Sequence, residues 1–236
     1  MHSAVNVHNL RVDRKHRTIL SDINFEIESG EIVGLFGPSG AGKTTLIRSL
    51  IGLQKIKSGS IHILHHHSGT LRARNLVSYM SQNHGYYTDL TGYENLKYFG
   101  RIVNAPAMQS KELLEQLNMA DHSDQLLADM SGGQQARISL AIALLGRPEF
   151  ILLDEPTSGL DPILRIELWR YFRHLASQGA TFLVSSHDLT ESMHCDRVML
   201  IKNGQILAYE RPAYLLESTG SKSMEEVFLK LEGAGA

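Results

Sequence analysis

Cysteine is nearly missing from this chain: 236 residues hold one, Cys195. No internal disulfide framework can form, so a small stapled secreted scaffold is excluded and a reducing compartment is expected. A lone thiol in such a chain reads as a buried structural residue rather than a nucleophile. An excess of charge of one sign is lacking too. Lys and Arg number 23 against 25 Asp and Glu, a net of −2, which gives no electrostatic ground for nucleic acid or an anionic surface as partner. No apolar run approaches membrane-spanning length. The opening stretch MHSAVNVHNLRV lacks the apolar segment of a signal peptide. The expectation is a soluble protein, cytosolic or held at a membrane only through a partner. There is no internal repeat and no low-complexity linker. Hydrophobic residues make up 42%, enough for a substantial core, and the length suits one α/β unit with an inserted lobe.

The run Gly37-Pro38-Ser39-Gly40-Ala41-Gly42-Lys43-Thr44 carries the most chemistry. It fits G-x-x-x-x-G-K-S/T, and its flanks fit too. The apolar run from Ile32 to Phe36 precedes it. A helical pattern follows, with Leu46, Ile47 and Leu50 on one face and Gly52 placed to end it. Glycines let the backbone wrap a phosphate and turn its N–H groups inward. The helix that starts there aims its positive end at the same place. Lys43 is placed to reach terminal phosphates and the Thr44 hydroxyl to ligate Mg²⁺, with Thr45 beside it.

The rest of the chain alternates between strand and helix signals. Val5 and Val7, then Ile23, Phe25 and Ile27, alternate with polar residues around a basic turn from Arg14 to Arg17. Ile61 to Leu64 is a further strand, broken by His65-His66-His67-Ser68-Gly69. Val77 to Met80 is a short apolar run ending at Ser81-Gln82. From about Asp89 to Leu127 strand signals vanish and helical spacing appears, as in Leu113, Leu114 and Leu117. Leu140 to Leu145 continues a helix stopped by Gly146-Arg147-Pro148. Phe150 to Leu153 and Thr181 to Val184 read as buried strands. Between them Asp161-Pro162 opens a helix with Leu164, Leu168, Phe172 and Leu175 on one face, ending at Gly179. Asn203-Gly204 between apolar runs signals a hairpin. Met224, Val227, Phe228 and Leu231 mark a short amphipathic helix.

Two more elements bear on chemistry. Asp154 and Glu155 follow the apolar run Phe150 to Leu153, placing two carboxylates at the C-terminal end of a strand, where open α/β sheets bind ligands. Downstream of a phosphate loop, Asp154 is suited to hold Mg²⁺ through its water shell, and Glu155 to orient or deprotonate an attacking water. The segment Met130-Ser131-Gly132-Gly133-Gln134 precedes a helix bearing Ile138, Ile142 and Leu145 on one face. It is a second anion-binding helix start, or an ordinary serine cap. The triplet His65 to His67 has no carboxylate or cysteine close in sequence and reads as a polar turn rather than a metal site.

Gly37 to Thr44, Gln82, Met130 to Gln134, Phe150 to Glu155, Ser158-Gly159-Leu160-Asp161 and His187 stand in the order and spacing of ATP-binding cassette (ABC) ATPases, which this chain resembles over nearly its whole length. Met130 replaces the usual leucine, a nearly volume-conserving swap. The resemblance implies a P-loop NTPase core of α/β class. An N-terminal antiparallel β-subdomain and a helical subdomain at about 86–146 complete one domain over 1–236. It implies ATP and Mg²⁺ as cofactors and a head-to-tail dimer, with two copies of this chain or two different ATPases sandwiching two nucleotides. Ser131, Gly132, Gly133 and Gln134 would complete the partner's site. Gln82 would sense Mg²⁺ and the γ-phosphate, Asp161 would contact the opposite site, and His187 would touch the γ-phosphate. The family's aromatic residue against adenine is replaced by Arg14, with His16 nearby. A guanidinium plane can stack on a base, so weak discrimination among nucleotides is expected; the same basic turn also reads as a solvated hairpin tip.

A cassette without a spanning helix implies a polytopic membrane subunit as partner, and so a place on the cytoplasmic face of the membrane. The docking surface is expected near Gln82 to Glu94, where Tyr86, Tyr87, Leu90 and Tyr93 cluster, although these residues also suit lobe core. The closing segment Ser223 to Leu229 is similar to tails of export-type ATPases for drugs, lipids or polysaccharides. The alternatives are an importer ATPase, or a non-transport cassette regulating a membrane or cell-wall complex.

Overall fold

The computed structural model describes residues 3–82 and 85–234. In chain order the elements are β1 (Ser3–Arg14), β2 (Arg17–Glu28), β3 (Ile32–Phe36), α1 (Lys43–Leu50), β4 (Ser58–Ile63), β5 (His66–His67), α2 (Leu71–Leu76), β6 (Val77–Met80), α3 (Gly92–Ile102), α4 (Ala107–Gln116), α5 (Gly132–Leu144), β7 (Phe150–Asp154), α6 (Pro162–Ser177), β8 (Thr181–Ser186), β9 (Arg197–Lys202), β10 (Gln205–Glu210), α7 (Pro212–Thr219) and α8 (Met224–Ala234). Single 3₁₀ turns lie at Ala120–His122, Leu127–Asp129 and Leu189–His194.

The strands form two sheets. One is antiparallel, ordered β2-β1-β4-β5. The other is ordered β10-β9-β3-β8-β7-β6 and is parallel except for β10, which the Asn203-Gly204 turn folds back on β9. Both turn residues have positive φ, 49° and 74°, as a two-residue hairpin turn demands.

The continuous apolar runs of β3, β7, β8 and β9 follow from a sheet covered on both faces. Val33, Leu35, Leu152, Leu183, Met199 and Ile201 face one core, shared with Leu46, Ile47 and Leu50 of α1 and with the inner residues of the antiparallel sheet. Their neighbours Ile32, Phe36, Ile151, Leu153, Phe182, Val184, Val198 and Leu200 face the second core, built with α4, α5, α6 and α8. The period-2 alternation of strand side chains divides each run between the two.

Three helices, α3 to α5, lie between β6 and β7. Thr91 caps α3 and Ser131 caps α5, each in a capping box, with Glu94 and Gln134 respectively. Asp161 caps α6 through Oδ1, which accepts from the N–H groups of Ile163 at 3.1 Å and Leu164 at 3.0 Å. Among the described residues no helix is long and apolar enough to cross a membrane.

Three local features differ from the sequence expectation. The break after β4 is shorter than the histidine run: Leu64 and His65 form the turn with φ of 47° and 67°, while His66 and His67 pair back on Ile63 and His62 as β5. Helices α2 and α7 carry no apolar stripe to announce them. Only Ala73 is buried in α2, and only Pro212 and Leu215 in α7.

Candidate nucleotide and hydrolysis site

The loop 37–42 joins the C-terminal end of β3 to α1. A Cβ on Gly37 would lie 2.1 Å from the Ile201 carbonyl oxygen, so only glycine lets the chain leave β3 so close to β9. Gly42, at φ 111°, is the N-cap of α1. No side chain caps that helix and no acidic residue stands in its first turn. Its leading N–H groups therefore remain available to an anion. From behind, Ala41 O accepts from Gly204 N at 3.0 Å and Gly204 O accepts from Ser21 N at 2.9 Å, which pins the loop to β2 and to the β9–β10 turn. Pro38, Ser39 and Gly40 are exposed at the rim.

Lys43 is 8% exposed. Its Nζ donates to Gly37 O at 2.6 Å and to Pro38 O at 3.3 Å. Burial pushes its pKa below the ordinary lysine value, against the opposing pull of the Glu155 and Asp154 carboxylates. Thr44 Oγ1 donates to Asp154 Oδ2 at 3.1 Å, joining the phosphate-loop helix to the end of β7. Asp154 is 2% exposed, and its Oδ1 accepts from Ser185 Oγ at 2.6 Å. The parallel register of β7 and β8 sets Asp154 opposite Ser185.

Glu155 adopts φ 57°, a left-handed conformation unusual for a residue with a Cβ. Its N–H donates to Ser185 O and to Ser185 Oγ, each at 3.1 Å. The bend turns the side chain so that Oε2 lies 2.8 Å from Nδ1 of the exposed His187. Backbone strain of this kind concentrates at functional sites. The loop 37–44, Asp154, Glu155, Ser185 and His187 thus meet at the carboxyl ends of β3, β7 and β8, in the crevice where open α/β sheets take ligands. Gln82 lies two residues past β6, whose Met80 pairs with Leu153, and is exposed at the same edge.

Two predicted groups lie on other elements. Arg14 sits exposed at the tip of the β1–β2 hairpin, opposite Arg17. Ser131 and Gln134 bond to each other, with Gln134 Oε1 accepting from Ser131 N at 2.8 Å and Ser131 Oγ from Gln134 N at 3.3 Å. The turn before α6 comes near that segment: Leu160 Cδ2 lies 3.6 Å from where a Cβ on Gly133 would stand. Within the expected docking stretch Gln82 to Glu94, residues 83 and 84 lie outside the described residues. Tyr86 Oη donates to Gln135 Oε1 at 2.9 Å, and Tyr87 meets Tyr98 edge to face at 5.1 Å.

Ser185 is the residue that sequence reasoning passes over. Its only signal is that the apolar run of β8 ends on two serines before His187. Cys195 is buried, and that burial pushes its thiol pKa up, as suits an inert core residue.

The donors present suit a hard divalent cation, since a threonine hydroxyl and a carboxylate offer oxygen only. Among the described residues no three His, Cys, Asp or Glu gather to hold a metal.

A family model described as ABC transporter matches residues 20–158, more than half of the chain. The chain belongs to the ABC transporter family. It is an ATPase cassette of that family, and its relatives carry varied names. Nod factor export ATP-binding protein I of Burkholderia lata is 34% identical over 219 residues, covering 90% of this chain and 72% of that protein. Lipopolysaccharide export system ATP-binding protein LptB of Escherichia coli is 33% identical over 219 residues, covering 89% of this chain and 91% of that one. ABC transporter G family member 20 of Dictyostelium discoideum is 35% identical over 220 residues, 90% of this chain. The cassette spans 30% of that protein's length and 33% of a second from the same organism, ABC transporter G family member 23. Among solved structures, an ATP-binding subunit of an ABC transporter matches with a TM-score of 0.89 at 26% identity, covering 97% of this chain and 99% of that one. A dimeric ATP-binding cassette in a post-hydrolysis state with ADP and Pi matches with a TM-score of 0.82 at 25% identity, covering 88% and 98%.

Proposed function

We propose that this cassette hydrolyses ATP between two head-to-tail cassettes and so drives a separate polytopic membrane subunit, with export as its direction of transport. The observation that carries the reading is the Thr44 to Asp154 hydrogen bond of 3.1 Å, which sets the phosphate-loop helix against the carboxylate strand. Gly37, Ser39, Gly40, Ala41, Gly42, Lys43, Thr44 and Thr45 hold the phosphates through backbone N–H groups, the Lys43 ammonium and the helix start, with Pro38, which has no N–H, shaping the loop. Thr44 and Asp154 would hold Mg²⁺ with Gln82, and the ion when bound would neutralise phosphate charge. Glu155 orients a water and accepts its proton, while the imidazole of His187, 2.8 Å from Glu155, fixes the direction of that carboxylate and reaches the γ-phosphate side. Ser131, Gly132, Gly133 and Gln134 complete the site of the neighbouring cassette, and Asp161 meets it across the junction. Arg14 stacks on the base.

The export reading is supported by relatives named for Nod factor and lipopolysaccharide export. The helices inserted at 86–146 form the subdomain on which the membrane subunit docks, from the cytoplasmic face. The test is Glu155→Gln. It is expected to bind ATP, to turn over at least about a hundredfold more slowly as loss of a general base does, and to co-purify from solubilised membranes with ATP in stoichiometric association with a polytopic membrane protein. Normal turnover sinks Glu155 as the base. Wall-remodelling or ribosomal proteins in place of the membrane protein overturn the transport reading and leave the ATPase chemistry standing.

A further inference from the structure

Beside the Glu155–His187 pair lies a second charged cluster. Glu191, in the turn Leu189–His194, is 2% exposed. A carboxylate so deeply buried is tolerated only with partners. Its Oε2 accepts from Thr157 Oγ1 at 3.1 Å. Its Oε1 faces Arg165 Nε at 3.5 Å, and neither of these buried atoms has a hydrogen-bond partner. The same guanidinium donates from Nη1 to Asp188 Oδ2 at 2.6 Å. The other oxygen of Asp188 accepts from Thr190 N at 3.1 Å and Thr190 Oγ1 at 2.5 Å, so Asp188 is held from both sides.

This places one guanidinium between two segments of the site. Asp188 follows His187 directly. Thr157 lies two residues past Glu155 and opens the turn Ser158-Gly159-Leu160-Asp161. Arg165 itself rides on α6 one helical turn past its cap, with Arg165 N bonded to Asp161 O at 3.0 Å. The start of α6 and the guanidinium therefore move together. A cavity of about 90 Å³ lies among Glu155, Gly159, Arg165 and His187.

We infer that Arg165 is a positioning residue: with Glu191 as its buried counter-ion, it ties the turn 157–161 to the His187 segment, so that displacement of the turn is passed to the Glu155–His187 contact. Glu191 and Asp188 both lie on the segment after His187: Glu191 holds the turn through Thr157, and Arg165, carried on α6 behind that turn, holds Asp188. The inference rests on the proposed role of Glu155 in hydrolysis.

The experiment compares Arg165→Gln, the pair Arg165→Gln with Glu191→Gln, and Glu155→Gln, each by ATP affinity, steady-state hydrolysis and thermal unfolding. Arg165→Gln is expected to keep ATP affinity within about threefold and to lower kcat by about tenfold or more, the pattern of an interaction that matters in the transition state and not in binding. It is also expected to lower Tm, because Glu191 is left buried and uncompensated. The paired variant removes both charges, while the side-chain amide that Glu191→Gln introduces can still accept from Thr157. Its Tm should recover and its kcat should not, since the tie to Asp188 is gone. A paired variant that regains both Tm and the normal rate overturns the inference, because Arg165 then only neutralises Glu191. So does an Arg165→Gln protein whose ATP affinity falls as far as its kcat. Normal hydrolysis by Glu155→Gln would instead sink the reading of the site itself; slow hydrolysis there beside a normal rate in the paired variant sinks the tie alone.

Discussion

Replacing Ser185 by alanine isolates the contribution of one buried hydroxyl to the proposed cation site. Ser185 is fully buried, and its Oγ donates to Asp154 Oδ1 at 2.6 Å while accepting from Glu155 N at 3.1 Å. The second contact has a substitute, because Glu155 N also reaches Ser185 O at 3.1 Å. The first has none: Asp154 is 2% exposed, and Thr44 serves its other oxygen. A short hydrogen bond to a buried carboxylate contributes about 2 kcal/mol, which in a chain of this length is roughly 5 °C in Tm. The larger effect falls on the cation. Outer-shell partners that orient a metal-ligating carboxylate are worth about 10–100-fold in metal affinity. Ser185→Ala should therefore raise the Mg²⁺ concentration for half-maximal hydrolysis by about tenfold or more, while ATP binding measured without Mg²⁺ changes by less than about twofold. The assays are thermal unfolding without nucleotide and Mg²⁺ titration of hydrolysis at saturating ATP. A Tm within about 1 °C of the parent and an unmoved Mg²⁺ midpoint would refute the argument that Ser185 sets the direction of Asp154.

Two glycines of the proposed phosphate loop should respond differently to alanine. Gly37→Ala drives a Cβ to 2.1 Å from a backbone carbonyl and should displace the loop, weakening ATP binding measured calorimetrically by about tenfold or more. At Gly40 a Cβ meets nothing within 4 Å, so Gly40→Ala should cost only the strain of φ 80°, about 1 kcal/mol in chemical unfolding. Alkaline stability follows from two tyrosines. Burial pushes Tyr171 and Tyr209 up to about 12 from 10, with the Glu112 carboxylate adding to the shift of Tyr171. The unfolded chain releases these protons first, so stability is intact below pH 10 and falls as pH rises from 10 to 12. Urea unfolding at stepped pH checks this, and Tyr171→Phe with Tyr209→Phe should flatten the slope; an equal slope in that variant would dissociate these tyrosines from the effect.

The parts legible in the sequence are those whose physics is local. A glycine-rich turn between an apolar run and an amphipathic run constrains its own backbone, and Asp161-Pro162 or Ser131 with Gln134 states a helix start within a few residues. The histidine triplet misleads because a two-residue turn needs only two positions of positive φ; Leu64 and His65 supply them, leaving His66 and His67 free to pair. Helices α2 and α7 bury too little to leave a periodic pattern. Ser185 is hidden for a different reason: its value depends on the register that sets β8 against β7, 31 residues away, which no local pattern records. Arg165 and Glu191 belong to the same class, a charged residue on a helix and one in a turn, each unremarkable until the fold brings them together.

Every role proposed for the site depends on the loop 37–44 binding the nucleotide phosphates. Titration calorimetry of ATP and Mg²⁺ into the parent and into Lys43→Ala tests it most directly. Lys43 is the only ammonium buried among the described residues, and it lies on the carbonyls of that loop. A saturable signal is expected for the parent and, for Lys43→Ala, an affinity lower by about a hundredfold, the loss of a charge-assisted contact of about 3 kcal/mol. Equal affinity in the two folded proteins would contradict it.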